Sequence, residues 1–186
     1  MPNTLTKAPV QYFTQTMSYY SRTTDFDAEW LILRNASFYK LGGTHDAVDD
    51  TETATISSTN QTIARSLWFI VPFNMTITHI SGTWQDDEID NHPSGAYHMG
   101  IWTVASIGTS GSTPTSQTGS KTFTLKYVTS TVAGTEDDDQ LYAFYDASPT
   151  LTLSAGDAVW VGAYNTRNLS GNDTAISMSI WGYKKI

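Results

Sequence analysis

LTLSAGDAVWVGAYNTRNLSGNDTAISMSIWGY, residues Leu151 to Tyr183, decides the fold class. Val159, Val161 and Ala163 alternate with Trp160, Gly162 and Tyr164. Ile176, Met178, Ile180 and Gly182 alternate with Ser177, Ser179, Trp181 and Tyr183. A period of two is that of a strand with one face against a core. Asn165 to Thr174, between the runs, is rich in Asn, Gly, Ser and Asp and reads as a loop. The pair therefore reads as a C-terminal β-hairpin. Ser154-Ala155-Gly156-Asp157 ahead of it is a turn, because Gly156 tolerates positive φ and Asp157 can bond nearby backbone.

Upstream segments repeat this texture. Val10 to Tyr20 is aromatic and β-prone, with Phe13 and Met17 facing inward, and Asp25 to Asp27 reads as a turn. Ala28 to Leu41 carries Trp30, Ile32, Phe38 and Leu41 and favours strand over helix, since it lacks a capping box. Thr44 to Asn60 is polar, with at most a short strand over Ala54 to Ser58. Ala64 to Pro72 is apolar on both faces, which places it centrally in a sheet, with Met75 to Trp84 as its hairpin partner. Ala96 to Ser106 follows, with Tyr97, Met99, Ile101 and Thr103 on one side. Ile107 to Ser120 is a long Gly/Ser/Thr loop. Lys121 to Val128 alternates Phe123, Leu125 and Tyr127 against Thr124 and Lys126, and Leu141 to Tyr145 is another aromatic strand. The expectation is all-β: an antiparallel β-sandwich of jelly-roll type with about eight to ten strands. Residues 1 to 9 read as an N-terminal arm and residues 10 to 186 as a single β-sandwich domain.

Composition removes several function classes. The chain has 186 residues and a formal charge of −8, with only ten Lys and Arg. Phosphate neutralisation needs clustered cations, so a nucleic-acid partner is not expected. Cysteine is absent, which excludes disulfides, thiol catalysis and thiolate metal sites. No apolar run approaches the roughly 20 residues of a membrane helix. The N-terminal stretch also lacks a signal-peptide core, so synthesis in a host cytoplasm without export is the expectation.

The opening stretch resembles the end of the jelly roll in the tumour necrosis factor and complement globular-head superfamily. The resemblance rests on Leu153, Gly156-Asp157, Val159-Trp160-Val161, Asn172-Asp173 and Ile176 to Tyr183 with Gly182. Phe69 to Ile80 is similar to that family's strand–Pro–turn–strand segment. The match covers under half of the chain, and Ile180 stands where the family usually has an aromatic. The Ser/Thr/Gly-rich texture and the Val71-Pro72-Phe73 turn also look like small virion proteins of tailed bacteriophages, decoration proteins and fibre knobs among them. That resemblance implies a virion location, a homotrimer, and contact with a major capsid protein or other virion proteins.

Motifs for chemistry are sparse. The runs Asp86-Asp87-Glu88-Ile89-Asp90 and Glu136-Asp137-Asp138-Asp139 lack the ligand spacing of a calcium loop and read as solvated turns. His45, His79, His92 and His98 make no metal-ligand spacing and read as ordinary strand or loop histidines. There is no nucleophile elbow, phosphate loop or dinucleotide fingerprint. The expectation is no enzyme, no catalytic residue, no metal and no cofactor. Trp160, Tyr164, Trp181 and Tyr183 lie opposite the aliphatic faces of their strands, where a monomer would expose them to water. They are the interface candidates, a second buried surface that a trimer would supply. The leading expectation is a capsid decoration or cement protein. The alternative is a receptor- or carbohydrate-binding fibre head, with Trp102 and Trp160 as stacking residues, and the third is a small glycan-active enzyme.

Overall fold

The computed structural model describes residues 10–27, 30–34, 37–40, 53–56, 67–86, 96–105, 107, 121–129, 132–133, 141–165 and 168–185. Every regular element among them is a strand: β1 (Val10–Asp27), β2 (Leu31–Arg34), β3 (Ser37–Lys40), β4 (Thr53–Ile56), β5 (Phe69–Ile70), β6 (Met75–Asp86), β7 (Ala96–Val104), β8 (Lys121–Val128), β9 (Val132–Ala133), β10 (Leu141–Asp146), β11 (Leu151–Leu153), β12 (Ala158–Asn165) and β13 (Asn168–Lys185). The expected arm, most of both acidic runs and the Gly/Ser/Thr loop lie outside the described residues, as do His45 and His92.

The strands form two antiparallel sheets. One has the order β1-β13-β6-β10, with β11 also on β6; the other is β3-β2-β12-β7-β8-β4, with β5 on β12 and β9 on β7. Pairing is nested: β1 with β13, β2 with β12, β6 with β10, and β7 with β8 at the centre. The chain is thus one long antiparallel ribbon folded at its middle. The ribbon rolls so that β13 meets β6 and β12 meets β7. This connectivity is that of a jelly roll.

It also corrects five local readings, the first being the loop expected over Asn165 to Thr174, where Asn168 onward is the start of β13, paired to β1. β12 and β13 are no hairpin, because they belong to opposite sheets and the chain crosses between sheets after Asn165. Each is flanked on both sides by other strands, and alternation names the buried face of a strand, not its neighbour. The expected Ala64–Pro72 hairpin with Met75–Trp84 fails in the same way: among the described residues β5 pairs the start of β12, not β6, and Ile70 is exposed. A run apolar on both faces is here an edge segment, with Leu67, Trp68 and Phe69 half-buried against the sandwich. The expected turn at Asp25 to Asp27 is strand, paired to the start of β13 through register shifts after Ser21. Finally, β8 bulges between Leu125 and Tyr127, so Phe123 and Leu125 share one face while Tyr127 packs on the other.

The main core lies between the sheets. Leu31, Leu33, Met99, Ile101, Val159, Val161 and Ala163 meet Tyr19, Ile77, Ile80, Trp84, Ile176, Met178 and Ile180. Phe13 and Met17 pack on it as their alternation predicts. The Ser154–Asp157 turn forms as expected: Gly156 has φ 86, and Asp157 N donates to Ser154 O at 3.1 Å. It docks on the Val71–Asn74 corner, where Gly156 N donates to Val71 O at 2.9 Å, Val71 N to Asp157 O at 2.8 Å, and Ala155 N to Asn74 Oδ1 at 2.8 Å. Opposite, Tyr127 OH donates to Asp146 Oδ2 at 3.1 Å and ties β8 of one sheet to β10 of the other.

Candidate binding surface

The four aromatic residues singled out by strand alternation do not share a surface. Trp160 and Tyr164 lie on the outer face of the larger sheet, Trp181 and Tyr183 on the smaller one. Trp160 and Tyr164 are each 3% exposed. They belong to a second buried cluster with Trp30, Ile32, Trp102, Val104, Phe123 and Leu125, against which Leu67, Ile107 and Val128 pack. Trp30 is its centre: its ring lies 5.4 Å from that of Trp102, edge to face, and 5.5 Å from that of Tyr164. The ring sits over a glycine pair, since Gly100 and Gly162 face each other across β7 and β12. A Cβ at Gly100 would lie 2.8 Å from Trp30 Cη2, and one at Gly162 would lie 3.1 Å from Trp30 Cε3.

The expectation that this face needs a partner subunit to leave water is therefore corrected. The single chain buries Trp160 and Tyr164, because β2 and β8 bring Trp30, Ile32, Phe123 and Leu125 to the same face. Trp102, wholly buried, and Trp160 are also removed as sugar-stacking residues. His98 is buried at the margin, with its ring 6.2 Å from that of Tyr164. Its Nδ1 must carry the proton, because the partner at 3.0 Å is the carbonyl of Thr129.

The surface open to a ligand is the outer face of the smaller sheet. Its middle is a ladder of hydroxyls: Thr16 bonds Ser179 across β1 and β13, and Thr83 bonds Ser177 across β6 and β13, both at 2.8 Å. Its aromatic residues gather near one end. Tyr12 is 82% exposed, Tyr145 65% and Trp181 37%. With Thr14, Thr78 and His79 they line a hollow of about 410 Å³. Tyr183 is half-buried and lines a separate, smaller hollow with Asn74 and Thr76.

A bulge builds the larger hollow. Trp181 and Gly182 are consecutive on β13, but their partners on β6 are His79 and Ile77, leaving Thr78 as the extra residue. Thr78 Oγ1 donates to Trp181 O at 3.2 Å. That hydroxyl has a single proton, so its 2.9 Å contact with His79 Nδ1 makes the imidazole the donor. The tautomer of the neutral ring follows: Nδ1 is protonated and Nε2 is an acceptor. The ring stacks on Tyr145, with centroids 5.7 Å apart and planes at 29°. No charged side chain lines the hollow among the described residues.

Trp181 apart, these residues were not singled out by sequence. Tyr12 and Tyr145 sit in aromatic runs whose outward members read like any sandwich tyrosine, and His79 reads as an ordinary strand histidine. Alternation alone puts Tyr12 opposite the inward Phe13, but only the pairing β1-β13-β6-β10 brings them together. Among the described residues, no group of three or more His, Asp or Glu is placed to hold a metal. No helix there is long and apolar enough to cross a membrane.

No family model matches the chain, and no curated protein matches it. Among solved structures it is similar to a chain from Desmodium yellow mottle tymovirus, at 9% identity and a TM-score of 0.28, over 100% of this chain and 94% of that one. A score that low carries no argument, and the jelly-roll assignment rests on the strand pairings.

Proposed function

We propose that the protein is a structural component of a virion that acts by binding: a decoration or cement protein on the outer surface of a bacteriophage capsid, assembled as a homotrimer. The observation that carries this reading is the jelly-roll pairing itself, joined to the phage-like sequence texture. Fold alone does not assign function. The roll supports the reading by consuming nearly all the aliphatic surface of both sheets in two cores and leaving a broad, hydroxyl-rich face for contact. Val10, the first described residue, lies opposite Lys185 at the sheet edge, so both ends of the described chain meet at one corner. In this reading residues 1 to 9 grip the shell, its partners are the major capsid protein and neighbouring copies, and no residue is catalytic.

Co-sedimentation with empty capsids tests the reading. The full chain is expected to pellet with capsids and a chain lacking residues 1 to 9 to stay in the supernatant. Mass measurement in solution is expected to give a trimer. A strict monomer at micromolar concentration removes the trimer, and failure to pellet removes the decoration role.

A further inference from the structure

We propose that the hollow lined by Tyr12, Thr14, Thr78, His79, Tyr145 and Trp181 is a subsite for a neutral sugar ring. The size suits it: about 410 Å³ lies at the lower end of the range for small-molecule sites. The chemistry suits it as well. A pyranose has an apolar C–H face and an equatorial rim of hydroxyls. The C–H face packs on the negative face of an aromatic ring, and the rim needs fixed donors and acceptors. Tyr145 supplies such a platform, and its orientation is held by the His79 ring stacked on it. His79 is itself held by Thr78, which is anchored to the backbone of Trp181. That chain leaves Nε2 of the neutral imidazole as an acceptor, with the Tyr12 and Tyr145 hydroxyls and Thr14 as further polar groups.

The same features argue against other occupants. No Lys or Arg lines the hollow among the described residues, and the chain carries a net charge of −8, so phosphates, nucleic acid and acidic sugars meet no counter-charge. The neighbouring surface toward the middle of the sheet is the paired hydroxyls of Thr16, Ser179, Thr83 and Ser177, which can meet the hydroxyls of further sugar rings.

The site is independent of where the protein is mounted, so it is tested on the full chain without capsids. The probe is an array of neutral hexoses, N-acetylhexosamines and their short oligomers, followed by tryptophan-fluorescence titration of the best binder. Saturable binding is expected with Kd on the order of millimolar for one ring. Tyr145→Ala should weaken it about tenfold, the loss of one aromatic contact. Leu141→Ala, at an exposed position on the same strand and face but outside the hollow, should leave it unchanged. Both changes are at exposed side chains, and far-UV circular dichroism verifies the fold. Absence of saturable binding to every neutral sugar overturns the proposal, as does binding indifferent to Tyr145→Ala or tighter for sialylated than for neutral glycans. A Tyr145→Ala chain of lower mass in solution than the parent would assign the hollow to contact between copies and overturn it too. Capsid co-sedimentation does not bear on any of these outcomes, so the two proposals fail separately.

Discussion

Tyr127 shows how one side chain couples position to pH. The β8 bulge turns it away from Phe123 and Leu125 and toward β10, where it donates to Asp146 Oδ2 at 3.1 Å. Burial pushes its phenol well above the ordinary tyrosine value; the negative charge of Asp146 and the hydrogen bond push the same way. In the unfolded chain the phenol ionises near pH 10. Above that pH the folded state holds a proton the unfolded state has lost, so stability falls as pH rises. Below it the contribution is fully present. Tyr127→Phe should cost about 1–3 kcal/mol at neutral pH, because a half-buried carboxylate loses a donor and, among the described residues, keeps Ser148 N, at 2.9 Å on Oδ1. Urea unfolding of both chains checks this: the gap between them should narrow above pH 10, and a constant gap would show that Tyr127 does not titrate with folding.

At the scale of elements, β7 and β12 are bound by what they lack. Gly100 and Gly162 face each other, and the Trp30 ring occupies the space their side chains would fill. A Cβ at Gly162 would also stand 2.8 Å from Trp102 Nε1. Trp30 and Trp102 are fully buried and cannot swing into solvent without opening the cluster. Gly162→Ala should therefore destabilise by roughly 1–3 kcal/mol, the usual cost of overpacking. The urea midpoint should drop with an unchanged slope, and the near-UV aromatic signal should weaken. An unchanged midpoint would mean that the two indoles shift freely, against their burial. The alternation Trp160-Gly162-Tyr164 is plain in sequence, but nothing local says that the gap at Gly162 is filled by Trp30, about 130 residues away along the chain.

At the scale of the molecule, the roll predicts where the structure opens first. β6, β7, β12 and β13 have partners on both sides, whereas β3 and β4 end the larger sheet among the described residues. Native-state hydrogen exchange should be slowest in the first group and fastest in β3 and β4. Slow exchange in β4 with fast exchange in β13 would contradict the nested pairing. The same nesting explains why the binding surface was half legible. Alternation turns Trp181 away from Ile180, and Trp181 does face solvent. The same rule turns Trp160 away from Val159 and Val161, yet Trp160 is buried, because a strand's far face can be covered by the chain itself.

The sequence by itself determined the fold class, the inward faces of most strands and the Gly156 turn. These follow from periodicity and φ preference, which act over a few residues. Only the tertiary structure decided which strands are neighbours. It put β12 and β13 in opposite sheets, split Trp160 and Tyr164 from Trp181 and Tyr183, and assembled Tyr12, His79, Tyr145 and Trp181 into one hollow. Pairing in a roll joins residues separated by most of the chain, as Tyr12 is from Tyr183. It is selected by the burial of whole faces against each other, a condition no local stretch contains.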